Sequence, residues 1–134
     1  MFVCRHNSRR SQMAEGFLRA LSDGQLAATS AGLEVSIVDP LAVQVMAEEG
    51  IDISQRTSKP LSDFNPDNYN VVFSLCGCDV NLPPEWVLRD IFENWQLDDP
   101  TGKNIKTFQQ VRDEVKARVI ELIQTMSYID HYQY

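Results

Sequence analysis

The sequence predicts an α/β fold, a parallel sheet covered by helices on both faces, in a single domain over residues 1–134. Three observations predict it. Short β-branched and aromatic runs alternate with amphipathic helical stretches. The length of 134 residues suits one domain, and no linker, repeat or low-complexity stretch divides it. A hydrophobic fraction of 43% supplies a core without disulfide staples.

The elements follow in chain order. "MFV" is the end of a short first strand. "SRRSQMAEGFLRALSDG" reads as a helix: Met13, Phe17 and Leu21 fall on one face, Ala14 and Leu18 lie beside them, and Gly24 is a stop. "LAATSAGLE" reads as a second strand. "DPLAVQVMAEEG" reads as a second helix, with Asp39 as N-cap, Pro40 in the first turn, Leu41, Val45 and Met46 as its apolar positions and Gly50 as C-cap. Residues 54–69, rich in Ser, Pro, Asn and Asp, read as loop with one helical turn. "YNVVFSL" is a buried strand, and "EWVLRDIFENW" holds another short one. Phe108, Val111, Val115, Val119, Leu122 and Met126 mark a long amphipathic helix from Asn104 to Tyr128, with "SYIDHYQY" continuing past it.

Composition narrows the function. A net charge of -7 argues against a general nucleic-acid binder, which wants a broad basic surface. No apolar run approaches the ~20 residues of a membrane span. The first residues lack the pattern of a signal peptide, so the expected compartment is the reducing cytoplasm. Three cysteines do not make a secreted disulfide framework; they are structural, metal-binding or reactive.

In parallel sheets, ligands bind beyond the carboxyl ends of the strands. Cys4 and "LCGC" each follow a predicted strand, so both belong at that edge. This acidic chain also gathers Arg5, Arg9 and Arg10 around Cys4. A strand, then Cys4, then a turn and a helix places the thiol beneath a helix N-terminus, where free N–H groups and the helix dipole favour negative charge. Arg10 adds formal charge, and Ser11 can donate a hydrogen bond to the sulfur; all three effects favour the thiolate. The same N–H groups, with the Arg10 fork, suit a tetrahedral oxyanion. Cys4 alone is equally compatible with a buried, inert thiol beside a solvated basic turn.

Spacing changes that balance. Cys4 through Ser11 reads C-x5-R-S, which resembles the phosphate-binding loop of low-molecular-weight protein tyrosine phosphatases and of the arsenate reductases that share their fold. "NSRRSQMAEG" is similar to the arsenate reductase version of that loop. "GIDIS", "TS" at Thr57–Ser58, "VVFSLCGCDVNLPPEW" and "WQLDDP" extend the resemblance over nearly the whole chain. It implies a four-stranded parallel sheet flanked by helices. It also implies Cys4 as nucleophile, Arg10 as the grip on the oxyanion, Ser11 steadying the thiolate and Asn7 holding the loop's shape. On the same resemblance, Asn7, Ser8, Arg9, Arg10 and Ser11 are together the expected oxyanion-binding loop. Arg9 stands where the family often has a cysteine outside the redox set. Asp99, followed by Pro100, is the implied general acid, ahead of Asp98 because it precedes the proline.

Arsenate is then the expected substrate, with phosphate and sulfate as competing anions. Hydrolysis of an arsenate adduct on Cys4 would only return arsenate, so a reductase needs another thiol to attack the Cys4 sulfur. Cys76 and Cys78 are the candidates, and their adjacency leaves open which one attacks. Their Cys-Gly-Cys spacing resembles a cyanobacterial-type subgroup that draws on glutathione and glutaredoxin rather than thioredoxin. A phosphatase for tyrosine phosphate or small phosphate esters is the alternative; it shares Cys4, Arg10 and Asp99 but has no need of the other two thiols. A thiol-based metalloid-binding module leaves the C-x5-R-S loop and Asp99 without a purpose.

No bound cofactor or metal is expected. Zinc wants about four ligands, and three cysteines with the outlying His6 and His131 make a poor set. Some members of the family bind potassium through Asn, Glu, Ser and Asp; Asn7, Glu15 and Ser30 match, but Lys59 stands in place of the acid. The protein is expected to be a monomer with no nucleic-acid or membrane partner. Relatives carry several residues ahead of "MFVC", so a shortened central strand is expected here.

Overall fold

A computed structural model describes residues 1–75 and 82–132, the last six of these by backbone alone. Four strands, β1 (Phe2–Cys4), β2 (Ser30–Gly32), β3 (Val71–Ser74) and β4 (Ile91–Asn94), form one sheet in the order β2-β1-β3-β4. Every pairing is parallel, with Cys4 beside Gly32, Val3 beside Ser74, and Ser74 beside Asn94. The strands therefore end together, and Cys4 and the chain leaving β3 emerge at one edge, as expected.

Strand alternation sends Phe2 and Cys4 to one face of the sheet and Val3 to the other. The first face is covered by α1 (Arg10–Leu21), α2 (Pro40–Ala47) and α4 (Ile105–Tyr132). Met13, Phe17, Val45, Met46, Phe108, Val111, Val115 and Val119 are buried there, at the apolar positions of the three helices. Phe73 packs on Phe2 and Trp95, with ring centroids 5.6 and 4.7 Å apart. The second face is covered by the single turn α3 (Pro84–Val87) through Trp86, and by Leu61, Phe64 and Tyr69 from the connection into β3.

Asp39 caps α2 as its sequence position predicts, its Oδ1 accepting from the Leu41 N–H at 2.9 Å. Two elements differ from expectation. Residues 54–69 hold two 3-10 turns rather than one, Leu61–Asp63 and Pro66–Asn68, because Pro60 and Pro66 each restart the chain. α4 runs to Tyr132, four residues beyond the expected end, since no glycine or proline follows Gly102 to stop it. Among the described residues no helix is long and apolar enough to cross a membrane.

Candidate active site

The loop between β1 and α1 turns back on itself through Asn7, which adopts φ +50°, a conformation asparagine tolerates better than most residues. It lies directly on the end of β2. A Cβ on Gly32 would come 2.7 Å from the Asn7 nitrogen and 2.8 Å from the His6 carbonyl carbon, so only glycine admits the loop there. Outer residues are tied down by their own side chains. The Ser8 hydroxyl donates to the Ile37 carbonyl, and Arg9 Nε donates to Asp39 Oδ2 at 2.7 Å. The Ser58 hydroxyl donates to the His6 carbonyl at 2.6 Å.

The loop's inside is held by Asn7, which is fully buried. Its Oδ1 accepts from Gln12 Nε2 at 2.8 Å and from the Lys59 N–H at 2.9 Å. Its amide group donates to the hydroxyls of Ser11 and Ser30, both at 2.8 Å. The Ser11 hydroxyl lies 2.9 Å from Cys4 Sγ. Among the described residues, the backbone N–H groups of Arg5 through Arg10 donate to no protein acceptor. Unpaired amides are costly where water is excluded, and a curved run of them is a concave donor surface for an anion.

Arg10 starts α1 with its side chain 9% exposed. One terminal nitrogen donates to the carbonyls of Leu75 at 3.0 Å and Leu97 at 3.3 Å, while Nε has no partner among the described residues. A cavity of about 340 Å³ opens over Cys4, walled by His6, Ser8, Arg9 and Arg10 on one side and by Leu97, Asp99 and Thr101 on the other. Asp99 faces Arg10 at 3.8 Å. Partial burial alone would raise its carboxyl. The Thr101 hydroxyl and N–H, which both donate to Oδ1, outweigh this together with the Arg10 and Arg9 charges, and Asp99 stays below the usual carboxylate range.

Cys4, Ser8, Arg9, Arg10 and Asp99 thus meet at one cavity, whereas exposed Asp98 is outside its wall. Asn7 and Ser11 stand behind the loop rather than on the cavity. Cys76 and Cys78 lie outside the described residues. Glu15, Ser30 and Asn7 do come together, but cations of the protein itself crowd the carboxylate: Arg56 pairs with Glu15 Oε2, Arg19 approaches to 3.4 Å and the Lys59 ammonium to 3.8 Å. Among the described residues no three His, Cys, Asp or Glu side chains gather as a metal site. Sequence reasoning missed Thr101, Gln12 and Arg56. Thr101 had a signal, a hydroxyl two residues after an Asp that precedes proline, which marks a local turn. Arg56 had none, because its partner is 41 positions away, and Gln12 had none, because no local turn pattern marks its bonds to Asn7 and Thr57.

A phosphate-loop cradle on a four-stranded parallel sheet defines the class, and the chain belongs to the low molecular weight phosphotyrosine protein phosphatase family, whose model matches residues 1–129. Within it, the chain is 58% identical to a protein of Synechocystis sp. named glutaredoxin arsenate reductase, over 95% of this chain and 97% of that one. It is 43% identical to an arsenate reductase of Staphylococcus aureus, over 88% and 90% of the two chains. A solved structure described as an arsenate reductase in the phosphate binding state superposes with a TM-score of 0.87 at 58% identity, covering 93% of this chain and 95% of the other. One described as in the oxidized state gives 0.88 at the same identity and coverage.

Proposed function

We propose that the protein reduces arsenate to arsenite, with Cys4 as nucleophile and external thiols as the source of electrons. The observation that carries this reading is the arrangement around Cys4: its sulfur lies at the base of a cavity walled by Arg10 and Asp99, beneath loop amides free to bind an oxyanion. The similar structure described as in the phosphate binding state supports a tetrahedral anion as a ligand.

The steps follow from the residues. Arsenate binds to the amides from Arg5 to Arg10, with the Arg10 guanidinium on the cavity wall as a further donor. The Cys4 thiolate attacks arsenic; an S–As bond forms, an As–O bond breaks, and the oxygen leaves as water after protonation at Asp99. Ionised Asp99 first takes the proton that the substrate brings. Cys76 or Cys78 then attacks Cys4 Sγ. An S–S bond forms, and the electron pair of the S–As bond stays on arsenic, which departs as arsenite. Leu75 anchors to Arg10 through its carbonyl, so the chain leading to Cys76 starts at the oxyanion site. Two thiols, glutathione with glutaredoxin in our reading, reduce the disulfide and return Cys4. The balance is one arsenate and two thiols giving one arsenite, one disulfide and water.

This reading makes the protein a monomeric, single-domain cytoplasmic enzyme with no bound cofactor, and phosphate and sulfate its competing anions. Incubation with arsenate, glutathione and glutaredoxin tests it, beside a parallel assay with a chromogenic phosphate ester. Arsenite formation through repeated cycles is the expected result. Ester hydrolysis without arsenite would overturn it in favour of a phosphatase.

A further inference from the structure

We infer that Thr101 is a positioning residue for the proposed reaction: its hydroxyl and N–H together occupy Asp99 Oδ1 and leave Oδ2 as the oxygen that carries the proton. The inference rests on Asp99 being the general acid.

Asp99 precedes Pro100, which has no N–H, so the first amide after the carboxyl that can turn back to it is that of Thr101. It does so, donating to Oδ1 at 3.0 Å, and the Thr101 hydroxyl donates to the same oxygen at 2.5 Å. The turn beyond is closed by the Lys103 N–H on the Pro100 carbonyl at 2.9 Å, with Gly102 at φ +71°. Thr101 is therefore fastened on both sides. Both it and Asp99 wall the cavity over Cys4.

A carboxylate oxygen has two lone pairs. At Oδ1 two donors use both, and the Arg10 guanidinium approaches that same oxygen to 3.8 Å. A proton placed on Oδ1 would displace a donor and sit beside a cation. Oδ2 accepts from no donor among the described residues. The two oxygens of this one acid are thus unequal. Oδ1 holds the carboxyl in place, while Oδ2 takes the proton from bound arsenate and returns it to the oxygen that departs as water. Without the hydroxyl, the N–H still holds Oδ1, but one lone pair is open there. The proton then divides between two oxygens, and the carboxyl has lost one of its two anchors. The loop amides and Arg10 are untouched, so chemistry suffers and anion binding does not.

The experiment compares the full chain with its Thr101→Val, Thr101→Ser and Asp99→Asn variants and with the Asp99→Asn, Thr101→Val double variant. Thr101 is exposed, so these chains are expected to fold, and circular dichroism checks this. Steady-state rates with arsenate at saturating glutathione and glutaredoxin give kcat/KM, and inhibition by phosphate gives anion affinity. Thr101→Val should lower kcat/KM about fivefold with phosphate inhibition unchanged, and Thr101→Ser, which keeps the hydroxyl, should recover it to within about twofold. With Asp99→Asn no acid is left to position, so adding Thr101→Val should cost less than about twofold more. A folded Thr101→Val chain with the kcat/KM of the unsubstituted protein overturns the inference. Equal loss in Thr101→Ser, or the full loss repeated in the Asp99→Asn background, does so too. If the unsubstituted chain reduces no arsenate, the reductase reading fails by itself. The same variants are then read on hydrolysis of phenyl phosphate, whose departing oxygen needs the same proton.

Discussion

The Arg10 guanidinium donates to the Leu75 carbonyl at 3.0 Å, joining the start of α1 to the residue just before Cys76. A side chain that faces the cavity over Cys4 thereby also anchors the chain leading to Cys76. Lysine is a single point donor and cannot hold Leu75, Leu97 and an anion in one plane. Arg10→Lys should lower kcat/KM for arsenate by about 100-fold or more, and phosphate should no longer protect Cys4 from alkylation. A decrease of only about threefold would remove Arg10 from the anion site.

Asp99 is held below the usual carboxylate range in the free site, so in the proposed mechanism its proton arrives with the substrate. Between about pH 5 and 8, kcat/KM should therefore show no limb that belongs to Asp99. Asp99→Asn should lower the chemical step across that window without changing the profile's shape, and should not weaken phosphate binding. A wild-type limb in the window that Asp99→Asn abolishes would contradict this. The sign for stability is separate. A carboxyl lowered by folding contributes stability above its ordinary value of 3.8 and loses it as pH falls. With the side chain 57% exposed, that contribution is small.

Gly32 holds no catalytic group, yet its missing Cβ makes room for the loop. Gly32→Ala should cost about 2 kcal/mol in urea unfolding, because the obstructing atoms are backbone. It should also reduce arsenate turnover by displacing Asn7. Unchanged stability would mean that the loop shifts freely.

Cys76→Ser and Cys78→Ser separate the two chemistries of this fold. Each variant should retain whatever phosphate-ester hydrolysis the protein has and lose repeated arsenate reduction. Repeated turnover with glutathione in both variants would leave Cys4 and external thiols as the whole mechanism.

Much of this site is local in sequence and was legible there. Cys4, Asn7, Arg10 and Ser11 fall within eight residues, and a strand, turn and helix suffice to arrange them. Asp99 was singled out only by resemblance, since Asp98 carries the same chemistry; the cavity wall includes Asp99 and not Asp98. The contacts that orient the loop were hidden because they are tertiary: Arg56 reaches Glu15 across 41 positions, and Arg10 reaches Leu75 across 65. The covering of the second sheet face was obscured for a related reason. Its helical turns are too short to show a 3.6-residue period, so Trp86, Leu61 and Phe64 look like isolated apolar residues in a loop.

The most direct measurement is a single turnover without external thiol. Fully reduced protein is mixed with excess arsenate, arsenite is counted per protein chain, and the disulfide is mapped by mass spectrometry. The account predicts close to one arsenite per chain, one disulfide joining two of Cys4, Cys76 and Cys78, and no arsenite from Cys4→Ser. Arsenite formed by Cys4→Ser at the rate of the unsubstituted protein would contradict it.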